Sequence, residues 1–406
     1  MNKDSILFLT KDALCKDYLP VYGNKYWKGK TPNMDELAAK GTVYNNFFTA
    51  APSSCMSYLS MFTRKYPYQQ DIQTYVPLDK PYQGNTLFDE AYDLGFECHV
   101  IWDATWKQMA YGYTQCYGKH TTIHYLSEIK QPVGSHYLHE GQLTRSKEKE
   151  DMALEKVRKE VEEIAKTDKK VFIWCHLPHV LNGRISYCDD IDLFDRYIGM
   201  YRSFFQDENI FLSADHGNMN GLKGKIGYGF DVYDKSIKIP FVSPRINDLS
   251  VCETQISNIN VFELIFNRKI VESRISFSDS TYYAQPNRKL AVIFGKYRYI
   301  YNKISKTEEL YDVEWDPYQQ FNLFSDTVYD VDRKKTTPAC EYYFYPYWDD
   351  LPEIRMRLRA EKNKIWRELN GFRKIVFEAG LTIKRFRVLN NLLSPVNKLA
   401  RKFIFK

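Results

Sequence analysis

Ile210-Phe-Leu-Ser-Ala-Asp-His-Gly217 is the stretch of the chain that decides the fold. The residues before Asp215 are mostly apolar, as in a buried strand, and a loop from Asn218 to Gly229 follows. A carboxylate and an imidazole at the carboxyl end of such a strand can bind a metal in an α/β active site. The same pair could instead cap a helix, so the rest of the chain has to decide between the two.

Strand and helix patterns alternate over roughly the first 245 residues. Apolar runs at Ser5–Thr10, Phe96–Trp102 and Lys170–Cys175 predict strands, and Thr31–Gly41 predicts a helix with a Pro start and a Gly stop. This alternation predicts an α/β fold, with a mostly parallel sheet and helices on both faces. Leu290–Tyr301 predicts a hairpin of a small antiparallel appendage.

Charge is distributed unevenly along the 406 residues, whose net charge is +6. Residues 351–406 hold 15 Lys and Arg against 4 Glu, whereas residues 1–350 hold 42 basic and 47 acidic side chains. The tail mixes apolar faces with cations, which suits an anionic membrane surface. The alternative is a pair of helices packed on the acidic body. No nucleic-acid motif is present, so nucleic acid is not an expected partner.

The export and cysteine patterns predict a cytoplasmic location. The first ten residues are too short an apolar run for a signal peptide, and they match a first strand instead. The eight cysteines show no CxxC spacing, which is typical of reduced thiols. With the basic tail, we expect a cytoplasmic protein that rests on the inner membrane.

Polar residues follow the predicted strands and meet at one edge of the sheet. We expect Asp12, Ser54, Asp215 and His216 to bind one divalent ion, Mn²⁺, Mg²⁺ or Ca²⁺, with Zn²⁺ also compatible. Ser54 would be the nucleophile.

Three cations complete the expected site. A positive His176 would bind an anionic ester or donate a proton to the leaving oxygen, and His179 and Lys223 would bind substrate. Each group also has an ordinary interpretation. Asp12 could cap a helix, Ser54 could be a loop residue, and the two histidines could be structural.

Several ordered motifs across residues 5–325 resemble the sulfatase-like branch of the alkaline phosphatase superfamily. The resemblance implies an alkaline-phosphatase-like fold with a catalytic domain (1–285) and an antiparallel subdomain (286–345). The basic helical tail (346–406) lies beyond the resemblance and is predicted from its own residues. The matching segments are Ser5–Asp12, Thr31–Gly41 ("TPNLDxLAxxG"), Ala50–Pro67, His176–His179, Asp215–Gly217, Tyr233–Pro240 ("YExSIRVP"), Tyr297–Tyr301, Glu309–Pro317 and Asn322-Leu323.

Departures from the family pattern bear on the chemistry. Ser54 stands where sulfatases carry the Cys or Ser of C/S-x-P-x-R, which matures to formylglycine, but the Pro and Arg positions hold Met56 and Tyr58. A register shifted to Cys55 fits no better. A single Asp12 also replaces the usual pair of aspartates. This pattern resembles the family's phosphoglycerol and phosphoethanolamine transferases, which form a phospho-residue intermediate.

The resemblance thus implies a metal-dependent phosphoryl transferase or phosphodiesterase that works through phospho-Ser54. The expected substrate is an anionic phosphoester or sulfate ester linked to a carbohydrate. The basic tail, which suits a membrane surface, suggests a surface polysaccharide or a lipid-linked sugar. One alternative is a sulfatase with an atypical maturation motif. The other is an inactive scaffold that binds glycans or protein partners.

Overall fold

A computed structural model of the protein describes residues 1–24, 26, 29–70, 82, 84–102, 116–125, 147–177, 187–280, 289–303, 305–325, 327–330, 335–338 and 345–367. The helices are α1 (Pro32–Lys40), α2 (Ser54–Thr63), α3 (Leu87–Asp93), α4 (Lys147–Ile164), α5 (Tyr187–Tyr201), α6 (Asp234–Ile237), α7 (Val261–Ile265) and α8 (Leu351–Arg367). The strands are β1 (Ile6–Lys11), β2 (Thr42–Tyr44), β3 (Phe47–Phe48), β4 (Glu97–Trp102), β5 (Thr121–Tyr125), β6 (Val171–Leu177), β7 (Ile210–Ala214), β8 (Phe241–Ser243), β9 (Val251–Cys252), β10 (Ile256–Ser257), β11 (Ser276–Asp279), β12 (Lys289–Phe294), β13 (Tyr297–Asn302), β14 (Glu308–Asp312), β15 (Thr327–Asp330) and β16 (Lys335–Pro338).

The main sheet has eight strands in the order β5-β4-β6-β1-β7-β8-β2-β9. β1 lies near its centre and runs parallel to β6 on one side and β7 on the other. Only β8 runs antiparallel to its two neighbours. Every residue of β1, β6 and β7 is buried, which is why their sequences are nearly continuous apolar runs. The predicted α/β class, with its mostly parallel sheet, is confirmed.

The start and the end of helix α1 follow from its local sequence. Pro32 occupies its first turn, where a missing backbone N–H costs nothing, and Gly41 follows its last residue. A Cβ on Gly41 would lie 2.1 Å from the Ser243 carbonyl oxygen, so only glycine lets α1 end against β8. After α1 the chain forms two short strands, β2 and β3.

A second, antiparallel sheet has the order β11-β12-β13-β14 and contains the predicted hairpin as β12 and β13. One apolar cluster joins this sheet to the loop that follows β7, through Phe48, Val232 and Tyr233. β11 pairs with β12, although the expected boundary at residue 285 assigns β11 to the catalytic domain.

Helix α8 covers another part of the antiparallel sheet. Leu351 and Leu358 are buried in an apolar cluster with tyrosines of β13, and Arg355 and Arg359 form ion pairs with Glu308 of β14. The first part of the basic tail is therefore packed on the protein, as in the alternative that we considered. Residues 368–406 lie outside the described residues, so membrane contact stays a prediction. Within the described helices, none has the length and apolarity needed to cross a bilayer.

Candidate metal centre and nucleophile

The carboxyl ends of β1 and β7 bring three buried ligand groups together. Asp12 follows β1, and Asp215 and His216 follow β7, its parallel neighbour. One ligand atom from each of the three lies within 4.8 Å of the others. The edge of the sheet that the sequence predicted as the site therefore holds two carboxylates and one imidazole.

The two carboxylate oxygens of Asp215 have different roles. Oδ1 accepts hydrogen bonds from the backbone N–H groups of Ala13 at 3.0 Å and His216 at 2.7 Å. Oδ2 is buried and accepts no hydrogen bond within the described residues. It lies 3.4 Å from His216 Nε2. The backbone thus orients this carboxylate and leaves one oxygen for a ligand.

His216 is held in one tautomer. Its Nδ1 donates to the carbonyl oxygen of Gly217 at 2.8 Å, which leaves the lone pair on Nε2. Nε2 lies 3.5 Å from Asp12 Oδ1 and 3.1 Å from Ser54 Oγ. The face of the Tyr228 ring covers the imidazole at 4.5 Å between centroids. The unprotonated nitrogen therefore points toward the carboxylates and the hydroxyl.

Ser54 is the first residue of α2. Within the described residues, the side chain of Ser53 makes no capping hydrogen bond to this helix. The positive end of a helix stabilises negative charge at this position. The hydroxyl of Ser54 is thus placed where an oxyanion or an alkoxide is favoured.

This group of residues fits a divalent cation. Two buried carboxylates this close would repel each other strongly without a cation, and Asp215 Oδ2 has no other partner in the described structure. Oxygen ligands with one imidazole suit Mn²⁺, Mg²⁺ or Zn²⁺. Asp12, Asp215 and His216 would hold the ion, with Ser54 beside it.

His176 lies on β6, directly across from Thr10 of β1, and is buried. Its Nδ1 lies 2.5 Å from the Tyr58 hydroxyl and 3.1 Å from Thr10 Oγ1. Burial lowers the pKa of His176 to about 3, although the Asp12 carboxylate acts in the opposite direction. Burial thus opposes the positive charge expected on this histidine, and its catalytic role stays a prediction.

The other two expected substrate contacts are not seen at the metal centre. Lys223 Nζ donates to the Tyr311 hydroxyl at 3.0 Å and lies over the Tyr233 ring, toward the antiparallel sheet. Its pKa is lowered by burial. His179 lies outside the described residues. Both remain proposals for substrate binding.

Contacts between distant segments revealed further residues around the site. Tyr58, at the position of the family arginine, uses its hydroxyl on His176, and its ring packs on Trp174. Asn258 holds the loop before α2. Lys11, next to Asp12, forms a buried ion pair with Asp190 at 2.7 Å. Of these three residues, only Tyr58 could have been noticed in the sequence, because it stands where the family motif has an arginine.

Comparisons with known proteins agree with this geometry. The sequence model of the family described as "Sulfatase" matches residues 5–238, more than half of the chain. No curated protein sequence matches the chain significantly.

Solved structures share the fold at low sequence identity. The phosphonate monoester hydrolase of Agrobacterium radiobacter is 13% identical, with a TM-score of 0.60 over 88% of this chain and 96% of that one. A 2-O GAG sulfatase is 15% identical, with a TM-score of 0.61 over 91% and 94% of the two chains. A protein solved with its substrate D-glucosamine-2-N,6-O-disulfate is 13% identical, with a TM-score of 0.61 over 90% and 98%. At these identities the likeness establishes the fold.

Proposed function

Because the chain belongs to the sulfatase family, we propose that it cleaves or transfers a phosphoester through a covalent phospho-Ser54 intermediate. The observation that carries the proposal is the placement of an ordinary serine hydroxyl 3.1 Å from His216 Nε2. That nitrogen in turn faces the carboxylates of Asp12 and Asp215. The motif that matures to formylglycine lacks its Pro and Arg, where Met56 and Tyr58 stand, so Ser54 keeps its hydroxyl.

A divalent cation held by Asp12, Asp215 and His216 would supply Lewis acidity, lowering the pKa of a nearby hydroxyl and offsetting charge on the ester. The protein's own contribution is placement. Asp215 is oriented by two backbone N–H groups, and His216 by the Gly217 carbonyl. Ser57 adds a hydrogen bond from its hydroxyl to the Asp215 carbonyl oxygen at 2.7 Å, which ties α2 to the same loop.

The reaction proceeds in two displacements at phosphorus. Ser54 Oγ attacks, the Oγ–P bond forms, and the P–O bond to the leaving group breaks. The proton that Ser54 loses is balanced by the proton that the leaving oxygen gains. Water or an acceptor hydroxyl then attacks, the Oγ–P bond breaks, and Ser54 regains its proton. The N-terminus of α2 stabilises negative charge on Oγ throughout.

His176 has a positioning role in this scheme. It is buried, and its ring nitrogen engages the Tyr58 hydroxyl on α2. It therefore holds the nucleophile helix against β1 and β6.

The substrate that we propose is a carbohydrate-linked or lipid-linked phosphoester. Support comes from proteins of similar structure: a phosphonate monoester hydrolase, a GAG sulfatase and a protein that binds a disulfated glucosamine substrate. Among the described residues, the structure shows α8 packed on the antiparallel sheet, so the proposed membrane contact rests on the later part of the tail.

The test is to trap the intermediate. After incubation of the Mn²⁺-loaded protein with bis(4-nitrophenyl) phosphate and acid quenching, we expect Ser54 in the 50–64 peptide to carry a 4-nitrophenyl phosphate group, because one 4-nitrophenol leaves and the other stays on phosphorus. Ser54→Ala should lower the rate constant for 4-nitrophenol release by roughly 10³-fold or more, because it removes the nucleophile. The matched control is Ser60→Ala, which removes a buried hydroxyl of the same helix that has no hydrogen-bond partner in the described structure.

Full activity in Ser54→Ala would exclude Ser54 as the nucleophile. An aldehyde at residue 54 would instead favour the second candidate, a sulfatase with an atypical maturation motif, which the sulfatase neighbours support. The third candidate, an inactive scaffold, is disfavoured because Asp12, Ser54, Asp215 and His216 meet in one buried site.

A further inference from the structure

A pocket of about 470 Å³ lies next to the metal centre and is distinct from it. Its walls come from three segments: the loop after Asp12, the segment after His216 that includes α6, and residues 313–319 beyond β14. The Gly217 N–H donates to the Ser236 carbonyl oxygen at 2.8 Å, so α6 is in direct contact with the metal-binding loop. We call this cavity the Lys–Tyr pocket, after Lys16, Lys238, Tyr18 and Tyr26 in its wall.

Two lysines of the Lys–Tyr pocket have no carboxylate partner among the described residues. Lys16 Nζ donates to the backbone oxygen of Asn45 at 2.6 Å and to its side-chain oxygen at 3.2 Å. Lys238 Nζ lies 5.9 Å from the centroid of the Phe48 ring. Burial, and then the Lys238 charge, lower the pKa of Lys16 to about 7 against the raising effect of nearby carboxylates, and burial also lowers the pKa of Lys238. Two ammonium groups in one partly buried wall repel each other, and a bound anion would relieve this repulsion.

The carboxylates of the pocket wall are already engaged. Asp17 pairs with Lys235, and Asp234 pairs with Arg298 at 2.6 Å. The lining therefore has three lysines, Lys16, Lys235 and Lys238, against two aspartates, which gives it an excess of positive charge. Asp234 and Glu253 act on Lys16 and Lys238 from a distance, but neither forms an ion pair with them within the described residues.

Gln319 adds a fixed hydrogen-bond donor. Its Oε1 accepts from the Asp234 backbone N–H at 2.7 Å, which orients the amide. The residue is 1% exposed, and its Nε2 is buried with no hydrogen-bond partner in the described structure. Gln319 also holds a left-handed backbone at φ 53°, a conformation unfavourable for a residue with a Cβ. A buried amide donor without an acceptor is costly, and a ligand oxygen in the pocket would satisfy it.

Aromatic faces complete the pocket. The rings of Tyr18 and Tyr26 stack with centroids 5.1 Å apart, and Lys235 Nζ lies 4.7 Å from each centroid. Tyr22 and Tyr318 also line the cavity. Tyrosine faces offer apolar contact to a flat or ring-shaped ligand, while their hydroxyls bind polar groups. A volume of this size holds a ligand of one or two rings.

We propose that the Lys–Tyr pocket binds a ring-bearing organic anion, such as an acidic sugar. Lys16 and Lys238 neutralise the anionic group, the Gln319 amide donates to an oxygen, and the tyrosines contact the ring. The anion is either a second acidic group of the substrate whose ester reaches Ser54 or a separate small molecule. An anion carried by the substrate would rest on the proposed function, whereas the binding of an anion in the pocket does not.

The test is calorimetric titration of the full-length, Mn²⁺-loaded Ser54→Ala protein with D-glucuronate. We expect saturable binding with a dissociation constant of roughly 1 mM or tighter. Lys238→Met should weaken it at least roughly tenfold, because the methionine keeps the length of the side chain and removes the charge. Lys269→Met is the matched control, since Lys269 is exposed and lies outside the pocket, and it should leave the dissociation constant within about twofold.

Two further experiments distinguish a substrate-borne anion from a separate ligand, and test the pocket independently of the proposed function. In the wild-type enzyme, competitive inhibition by D-glucuronate would place the anion on the substrate, and non-competitive inhibition would identify a separate ligand. Asp215→Asn should lose turnover while D-glucuronate still binds saturably, so binding in the pocket can be measured apart from the proposed chemistry. The proposal is overturned if no heat of binding appears up to roughly 10 mM, or if Lys238→Met and Lys269→Met bind equally well.

Discussion

At the scale of single residues, Gly217 determines how His216 is held. Its carbonyl oxygen accepts from His216 Nδ1, and its N–H donates to Ser236. A Cβ at this position would lie 2.1 Å from the Lys235 carbonyl oxygen, a backbone atom that cannot move alone. The metal-binding loop and α6 can approach this closely only because residue 217 has no side chain.

We therefore expect Gly217→Ala to displace His216. The free energy of unfolding should fall by about 1–3 kcal/mol from overpacking, and Mn²⁺ affinity should fall with it. Urea unfolding and Mn²⁺ titration would measure the two effects.

Gly221→Ala is the control for Gly217→Ala. A Cβ there meets nothing within 4 Å, but φ is 89°, so this change adds backbone strain alone. Equal loss of Mn²⁺ affinity in the two variants would contradict the role of Gly217.

At the scale of elements, the start of α2 depends on a fully buried side chain from another part of the chain. Asn258 Oδ1 accepts from the Ala50 N–H at 3.0 Å, and Asn258 Nδ2 donates to Ser57 Oγ at 3.0 Å and Thr49 Oγ1 at 3.2 Å. These bonds tie the loop before α2 to the helix itself. They position the first turn of α2, and with it Ser54.

Asn258→Ala should lower both stability and turnover. The buried Ala50 N–H loses its acceptor, which costs about 1–3 kcal/mol, so we expect the free energy of unfolding to fall by about that much. kcat should fall as well, because Ser54 loses its fixed position.

Asn267→Ala is the matched control for Asn258→Ala. It removes one exposed bond to Glu263 and should change neither quantity measurably. Urea unfolding and steady-state kinetics give the two readouts. A destabilised Asn258→Ala protein with normal kcat would refute the positioning role.

At the scale of the whole molecule, predictions that depended on strand ends agree with the structure. Apolar runs followed by polar residues identify parallel strands, and their shared edge brings Asp12 to Asp215 and His216. Contacts that depend on side-chain packing were not predictable. His176 was expected to be cationic, and only the structure shows it buried against Tyr58. The Lys–Tyr pocket needs three segments that no single motif connects.

Acid stability is a second property of the whole molecule that the structure predicts. His99 of β4 is buried, with Nδ1 3.0 Å from His124 Nε2, and Glu160 Oε1 lies 2.5 Å from His124 Nδ1. Burial, and then His124, lower the pKa of His99 from 6.5 to about 4, against the raising effect of Glu97 and Glu160. Between these values the unfolded chain binds a proton that the folded protein excludes. Stability should therefore fall as the pH drops from 6.5 to about 4.

His99→Gln should flatten this pH dependence of stability. The contribution of one histidine is at most about 1.4 kcal/mol per pH unit, and less where solvent screens the ring. Urea unfolding across this pH range would measure it, with His120→Gln, an exposed site, as the control. Parallel pH profiles for the wild type and His99→Gln would contradict the assignment.

The contact between Gly217 and α6 also implies an energetic coupling between two ligands. The backbone that holds His216 at the metal centre touches the backbone that carries Lys238 in the Lys–Tyr pocket. A metal ion bound by His216 on one side of this contact would attract an anion bound by Lys238 on the other side. By thermodynamic reciprocity, whichever ligand raises the affinity for the other has its own affinity raised by the same factor. The ion and the anion would then act as partners, each retaining the other in the protein.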